Sequence, residues 1–408
     1  MDDEGRGRGI VTYADLKFNV AVRGAFTGDV VRVLIERAFP KHQLLVCRAL
    51  EHTTQGPHHV ERTCPHTGPC PACPLHGADI SLSLKLKRER ITEALKKAEL
   101  EFAVDDVLNH PKEFGYRQKV KLMVGYDEKG KDTVVGTYIP YSHRLRPAYA
   151  CPYVGSPLND ALSHIVPLVD AAYVKAIIAR DTSNGIAVIL VCHSPIPESQ
   201  FDLFKALVDN KILISIAERI GEKNSNSILG GVAGQQYGHS DVDPDGFCQP
   251  DPTQAQIMYD IVAKYLTQEN TDEYIIDAYA GVGGFSQSLL KHGAKHVIAI
   301  EQSPSSQAEL KQLNIDVHTC AMCGAIPALS KLKINGLVVD PPKKGLMNDA
   351  EPIAKLGAKR VVLVSCDPNA MVKDLSIFLA NKYKVERILP IDLFGGTPAV
   401  ETLVFLTL

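Results

Sequence analysis

The residue best suited to covalent chemistry is a cysteine between a predicted strand and a predicted helix. The stretch Val361 to Leu375 reads V-V-L-V-S-C-D-P-N-A-M-V-K-D-L, and its apolar run up to Ser365 is typical of a buried parallel strand. Asp367 suits a helix N-cap, and Pro368 suits the first helical position. Because a helix N-terminus favours thiolate over thiol, we expect Cys366 to be a nucleophile; the alternative is a buried structural cysteine.

A glycine-rich segment follows another predicted strand in the second half of the chain. It reads D277-A-Y-A-G-V-G-G-F285, and its glycines let the backbone turn tightly and approach a ligand closely. Glu301 ends the next predicted strand, where an acid can accept both hydroxyl groups of a ribose. This pattern fits NAD or S-adenosylmethionine. Ser286 stands in place of the third glycine of the dinucleotide fingerprint, which weakens the dehydrogenase interpretation.

Two further acids lie next to predicted strands. Asp340, in V338-V-D-P-P-K-K-G345, precedes two prolines that make a stiff extended turn, from which its carboxylate can face a cofactor or a planar group. Glu401 directly precedes the last predicted strand, and burial there would raise its pKa toward that of a general base. A plain structural turn and an ordinary surface carboxylate are the respective alternatives.

Three closely spaced cysteines suggest a metal site. Residues 63–76 read T-C-P-H-T-G-P-C-P-A-C-P-L-H and place Cys64, Cys70 and Cys73 in a proline-rich loop. Thiolates at this spacing suit an iron–sulfur cluster or a zinc site, and we favour the cluster. Cys151 is the best candidate for a distant fourth ligand. His66 or His76 with zinc is the alternative.

Composition narrows the class of protein. The chain has 408 residues, is 45% hydrophobic and carries a net charge of −3, which does not by itself indicate nucleic-acid binding. Residues 81–150 are more basic, with 14 Lys and Arg against 10 Asp and Glu, so a local basic face is a weak prediction. No apolar run is long enough to span a membrane, and no signal-peptide core is present. We therefore expect a cytoplasmic protein, in which the ten cysteines are unlikely to form disulfides.

The predicted elements indicate several domains. Residues 10–62 alternate apolar and polar positions, which predicts a small antiparallel sheet or barrel that could bind RNA. Residues 81–245 predict an α+β domain, with helices over 81–101, 154–180 and 199–220, followed by a linker at 241–247. From about residue 250 strands and helices alternate, which predicts an α/β doubly wound sheet closed by an antiparallel hairpin. Its strands are predicted at Tyr274–Ala278, His296–Glu301, Gly336–Asp340, Arg360–Ser365, Val385–Pro390 and Thr402–Leu406.

Over nearly its whole length the chain resembles the RNA uracil-5-methyltransferases that make 5-methyluridine. The most specific matches are S365-C-D-P-N-A-M-V-K-D-L and V339-D-P-P-K-K-G345, together with the cysteine spacing. The resemblance implies a TRAM-like β-barrel over residues 1–62, an iron–sulfur loop over 63–80, a central α+β domain over 81–248 and an S-adenosylmethionine-dependent methyltransferase domain over 249–408.

The resemblance also implies a role for each site residue. Cys366 would be the nucleophile and Glu401 the base, and S-adenosylmethionine would contact Gln249, Tyr279, Glu301 and Asp340. A [4Fe-4S] cluster would be held by Cys64, Cys70, Cys73 and Cys151. The expected substrate is RNA, 23S ribosomal RNA before tRNA, and the expected state is a monomer.

The chain departs from the family pattern at several positions. Asp251 replaces a usual Asn, Ala280 a usual Cys and Lys343 a usual Arg, and residues 395–399 lack the common Pro and His. These changes put target preference and rate in doubt more than the reaction. A non-catalytic RNA-binding or assembly protein on the same scaffold and an NAD-dependent oxidoreductase are the competing hypotheses.

Overall fold

The structure is a computed structural model that describes residues 2, 4–13, 16–66, 70–182, 184–221, 226–231, 249–269, 272–303, 306 and 309–408. The predicted linker at 241–247 lies outside these residues. The chain divides into two compact units: the first comprises Met1–Ser83, Lys112–Gln236 and Gly395–Pro398, and the second Leu84–Pro111, Tyr237–Phe394 and Ala399–Leu408. In the described part of the chain, no helix combines the length and the apolar character that crossing a membrane requires.

The first unit begins with a four-stranded sheet. Its order is β1-β2-β4-β3, and β2 and β4 are parallel whereas the other neighbours are antiparallel. The strands are β1 (Gly7–Tyr13), β2 (Leu16–Arg23), β3 (Val30–Phe39) and β4 (Leu44–Thr54). The predicted alternation thus forms a sheet, while its closure into a TRAM-like barrel stays a prediction.

A second, seven-stranded sheet forms most of the first unit. Its order is β11-β10-β9-β8-β5-β6-β7, and α2 (Ser156–Ile165) and α3 (Glu198–Asp209) accompany it. Its strands are β5 (Lys119–Tyr126), β6 (Thr133–Tyr138), β7 (Leu145–Pro147), β8 (Val174–Thr182), β9 (Gly185–Cys192), β10 (Ser215–Ile220) and β11 (Asn226–Gly231).

Two helices predicted in this sheet region are too long. The helix predicted over 154–180 ends at Ile165, and the one predicted over 199–220 ends at Asp209. The remainder of each prediction is strand, β8 and β10 respectively. Most of β8 is buried, so its apolar residues show no period of two that would distinguish a strand from a buried helix.

The second unit contains the predicted doubly wound sheet, in the order β14-β13-β12-β15-β16-β18-β17. β18 is antiparallel to both of its neighbours, which confirms the closing hairpin. The strands are β12 (Tyr274–Ala278), β13 (Val297–Ile300), β14 (Asp316–His318), β15 (Ile334–Val339), β16 (Arg360–Ser365), β17 (Lys384–Ile391) and β18 (Glu401–Thr407). All six predicted strands are confirmed within two residues at each end, and only the three-residue β14 was missed.

Helices cover this sheet. They are α4 (Pro252–Leu266), α5 (Gly284–Lys291), α6 (Met322–Leu329), α7 (Ala350–Ala354) and α8 (Pro368–Ala380). The long helix α1 (Ile80–Lys97) buries Ile91 and Leu95 in the same core as the sheet residues Leu337 and Val404. From β12 the chain continues to β13 and β14 on one side, and then crosses to β15 and β16 on the other side of β12, so a crevice is expected at the carboxyl ends of β12 and β15.

Candidate active site

Cys366 lies at the carboxyl end of β16, directly before α8. It is half-buried, and the N-cap of α8 is Asp367, whose carboxylate accepts the amides of Asn369 and Ala370 at 3.0 and 3.1 Å. The expectation that the helix start favours thiolate is not met in the free protein. Burial, then the charges of Glu401 and Asp340, raises the pKa of Cys366 to about 11, although Lys343 acts in the opposite direction. The N-cap carboxylate already uses the helix amides that would have stabilised the thiolate.

Glu401 begins β18 and lies opposite Ile391 of β17. Its residue surface is 4% exposed, and Oε1 has no hydrogen-bond partner in the described part of the chain. Burial, and secondarily the charge of Asp340, raises the pKa of Glu401 well above its ordinary value. A buried acid whose oxygen is unpaired in the protein is suited to act on a bound ligand.

Asp340 follows β15, the strand next to β16. Desolvation, with a contribution from Asp277, raises the pKa of Asp340 to about 7. Since Asp340 also affects the pKa of both Cys366 and Glu401, the three side chains form one electrostatic group, hereafter the catalytic triplet. The structure thus brings together the predicted nucleophile, the predicted base and the predicted Asp340.

The glycine-rich segment after β12 turns through left-handed backbone conformations. Tyr279, Gly281 and Gly283 have φ values of 63°, 55° and 86°. Asp277 fixes the end of the segment, because its Oδ2 accepts both the amide and the hydroxyl of Ser286, at 2.9 and 2.6 Å. The carboxylate of Glu301 accepts the amide of Gly281 at 2.9 Å, so Glu301 lies beside the segment, and its role as a ribose acceptor stays a prediction.

The two other predicted cofactor residues lie in the same unit. The hydroxyl of Tyr279 donates to Asp349 at 2.7 Å. Gln249 is half-buried and precedes α4 by two residues. The N-cap of that helix, Asp251, accepts the amide of Thr253 at 2.9 Å and also contacts Nε2 of the buried His110. Asp251, which departs from the family pattern, therefore serves as the N-cap of α4 and as a partner for His110.

The four predicted cysteine ligands line one cavity of about 570 Å³ in the first unit, beside several cationic side chains. Burial raises the pKa of Cys70 and Cys151 and raises that of Cys73 to about 12, and the thiols also raise one another's pKa. Four such thiols ionise together only beside positive charge, so the donor set fits a metal group. Nε2 of His66 contacts the carbonyl of Tyr149. Nδ1 of His76 contacts the hydroxyl of Tyr153 at 3.2 Å, whereas its buried Nε2 has no hydrogen-bond partner among the described residues, so His76 with zinc stays an alternative.

A different group of possible metal ligands also lies close together. Among the described residues, the three-membered group whose ligand atoms all lie within 4.8 Å is Asp29, His52 and His59, and it includes no cysteine. The carboxylate of Asp29 accepts the amides of Phe26 and Gly56 at 2.8 and 2.7 Å, so hydrogen bonding accounts for that group.

Comparisons with known proteins give one consistent relationship. Residues 324–408 match the model of the tRNA (uracil-5-)-methyltransferase family. An uncharacterized RNA methyltransferase of Clostridium tetani is 26% identical, with 100% of this chain and 94% of that protein covered. One of Gloeobacter violaceus is 28% identical, with 97% and 92% covered.

A solved structure has the same fold over the whole chain. It is the tRNA (uracil-54, C5)-methyltransferase of Pyrococcus abyssi in complex with S-adenosyl-L-homocysteine, with a TM-score of 0.71, 19% identity and coverage of 98% of this chain and 99% of that one. The resemblance stated from the sequence is confirmed: residues 324–408 match the model of a uracil-5-methyltransferase family, relatives over nearly the whole chain are named RNA methyltransferases, and the chain has the fold of an S-adenosylmethionine-dependent methyltransferase.

Proposed function

We propose that this protein transfers the methyl group of S-adenosylmethionine to carbon 5 of a uridine in RNA through a transient bond between Cys366 and the base. The observation that carries the proposal is the catalytic triplet: a cysteine and two acids with strongly perturbed pKa values meet at the carboxyl edge of the doubly wound sheet. Perturbed titratable groups of this kind cluster at functional sites.

Cys366 makes carbon 5 of uracil reactive. The sulfur adds to carbon 6, and the electrons of the ring double bond move to form an enolate, which makes carbon 5 nucleophilic. Carbon 5 then attacks the methyl group of the sulfonium, whose bond from methyl to sulfur breaks with its electron pair remaining on sulfur, so that S-adenosylhomocysteine leaves. Since the pKa of Cys366 is about 11 in the free protein, the thiol needs further activation. The positive sulfonium of a bound cofactor would supply it, because a cation near Cys366 favours the thiolate.

Glu401 completes the reaction as the base. After methyl transfer, its carboxylate takes the proton from carbon 5, the C–H electrons restore the double bond, and the bond from carbon 6 to sulfur breaks, with its electron pair returning to Cys366. The low exposure of Glu401 and its unpaired Oε1 support this role. The target base must be unpaired or flipped out of its helix to reach the site.

The cofactor is proposed to occupy the crevice beside the glycine-rich segment. Glu301, held against Gly281, would accept its ribose hydroxyls, and Asp340, Tyr279 and Gln249 would contact the remainder. Cys64, Cys70, Cys73 and Cys151 are proposed to hold a [4Fe-4S] cluster that fixes the cysteine-bearing loop to the segment around Cys151.

The RNA target, the cellular compartment and the oligomeric state stay predictions. We propose 23S ribosomal RNA as the first candidate. The alternative is tRNA, and the name of the matched Pyrococcus abyssi protein supports this alternative. The protein is proposed to act in the cytoplasm as a monomer.

The decisive experiment uses labelled S-adenosylmethionine with bulk ribosomal RNA and bulk tRNA from cells that lack the gene. We expect label in 5-methyluridine, detected by mass spectrometry of the digested RNA, and loss of all incorporation with Cys366→Ala. Cys192→Ala is the control, because Cys192 is buried in the first unit away from any predicted role. Incorporation that survives Cys366→Ala would reject the covalent mechanism, and its absence with every RNA would favour the non-catalytic hypothesis.

A further inference from the structure

We propose that Lys87 is a positioning residue for Glu401, acting through Asp392 and the carbonyl of Phe394. The inference rests on the proposed function and adds to it a residue that the sequence pattern does not indicate. Lys87 lies on α1 within the second unit, more than 300 positions before the acid that it is proposed to direct.

The contacts of Lys87 place it at the end of β17. Nζ of Lys87 donates to Oδ1 of Asp392 and, at 3.1 Å, to the carbonyl of Phe394. Lys87 is 0% exposed and Asp392 is 1% exposed, so both charges are fully buried. Asp392 directly follows Ile391, the residue that pairs with Glu401 across β17 and β18.

Two backbone hydrogen bonds with Leu108 also hold the carboxyl end of β17. The amide of Asp392 donates to the carbonyl of Leu108 at 2.9 Å, and the amide of Leu108 donates to the carbonyl of Pro390 at 2.8 Å. The backbone on both sides of Ile391 is therefore held. Lys87 adds a contact that reaches past the strand, to the carbonyl of Phe394.

The sequence after Phe394 explains why an anchor is needed here. Gly395 and Gly396 follow, and glycine allows the widest range of backbone conformations, although hydrogen bonds from Tyr116 and Leu75 also hold the carbonyls of this pair. A fixed point before this pair limits the paths by which the chain can return to Glu401. Without the anchor, β18 can still pair, but the orientation of its first residue is less restricted.

A buried ion pair is weak evidence for stability, because desolvating two charges offsets most of their attraction. Replacing both partners by neutral residues is often tolerated, whereas removing one partner is strongly destabilising because it leaves an unpaired buried charge. The double substitution Lys87→Met with Asp392→Asn therefore keeps the fold testable, since it leaves no unpaired buried charge.

Loss of the anchor at Lys87 should affect one chemical step. Glu401 is needed only to remove the proton from carbon 5 after methyl transfer, so a misdirected carboxylate leaves addition and methyl transfer intact and delays elimination. The bond from Cys366 to carbon 6 then persists, and protein covalently linked to methylated RNA accumulates.

The experiment compares the double variant with the natural protein on uridine RNA and on 5-fluorouridine RNA. We expect the double variant to lose about tenfold or more in kcat, with KM for RNA and S-adenosylmethionine changed less than threefold, and to accumulate the adduct on uridine RNA. Carbon 5 of 5-fluorouridine carries no removable proton, so both proteins should form the same amount of adduct with it. Lys85→Met is the control, because Lys85 lies on the same helix but is exposed and pairs only with Glu89.

The outcomes distinguish failure of the positioning role from failure of the proposed function. An unchanged kcat in a folded double variant, or a loss of adduct with 5-fluorouridine RNA in that variant alone, would overturn the positioning role. Absence of adduct in the natural protein with 5-fluorouridine RNA would instead reject the proposed function. Circular dichroism and the melting temperature of each variant establish that the fold is retained.

Discussion

At the scale of single residues, the surroundings of the catalytic triplet disfavour the ionised form of each of its three side chains in the free protein. Asp340 has a pKa of about 7 and Cys366 one of about 11, while the pKa of Glu401 is raised by burial. These groups repel one another's negative charge in a desolvated site. A nearby cation would reverse this effect, so we propose that Cys366 and Glu401 become reactive when a positively charged ligand binds.

This arrangement predicts a difference in proton release between two ligands. Binding of S-adenosylmethionine should lower the pKa of Asp340 and Glu401 and release protons at pH 7, whereas S-adenosylhomocysteine, which has no sulfonium charge, should release fewer. Calorimetric titration in buffers of different ionisation enthalpy measures the number released. The contribution of Asp340 should shrink at pH 9, because a group with a pKa near 7 is already ionised there. Equal release with both ligands would contradict the prediction, and Asp340→Asn provides the control.

At the scale of elements, the segment between β17 and β18 depends on glycine. Gly396 has a φ of +71°, and a Cβ there would lie 2.3 Å from Oη of Tyr153, within the first unit. The carbonyl of Gly396 also accepts the amide of Leu75 at 3.0 Å, and the carbonyl of Gly395 accepts the hydroxyl of Tyr116 at 3.0 Å. The glycine pair therefore permits a close approach that any other residue would prevent.

Gly396→Ala should destabilise the protein for two reasons, the left-handed backbone and the clash with Tyr153. Gly357→Ala is a matched control, because Gly357 has a φ of +69° but nothing within 4 Å of an added Cβ. Backbone strain alone costs about 1–2 kcal/mol in that conformation. Thermal unfolding should show a clearly larger fall in melting temperature for Gly396→Ala than for Gly357→Ala. Equal falls would mean that Tyr153 moves aside without cost.

The elements differ in how well the sequence predicted them. β12 and β16 were predicted to the residue because each is a short apolar run bounded by turn residues. β8 and β10 were assigned to helices because buried strands lose their alternation, and β14 is too short to show a pattern. The pairs of Lys87 with Asp392 and of His110 with Asp251 join residues 305 and 141 positions apart, so only the folded chain reveals them.

At the scale of the whole molecule, the cysteine cavity belongs entirely to the first unit and the catalytic triplet entirely to the second. The metal group is therefore proposed to contribute to folding of the first unit and to take no part in the methyl-transfer step. The positions of Cys366, Asp340 and Glu401 in the sheet were predictable because each directly follows or begins a recognisable strand, while their roles stay predictions. The raised pKa of Cys366 was not predictable, because it arises first from burial in the folded chain and then from Glu401 and Asp340 on other segments.

Metal analysis tests the role of the cavity. Protein purified without air should be brown and contain iron and acid-labile sulfide, and Cys151→Ser should lose both while its melting temperature falls. Cys192→Ser is the control, because this buried cysteine lies in the same unit outside the cavity lining. A colourless protein that contains zinc would reject the cluster, and retention of iron by Cys151→Ser would reject Cys151 as a ligand.

The position of β18 has a consequence for how this protein forms during synthesis. β18 follows β17 in the chain but lies between β16 and β17 in the sheet. While a ribosome is still adding the residues of β18, β16 therefore presents an unpaired edge next to Cys366, and β17 has no strand to join. A sheet with such an edge is prone to pairing with other chains. Chaperone dependence of the nascent chain should therefore end only when the segment that carries the catalytic acid has emerged and inserted.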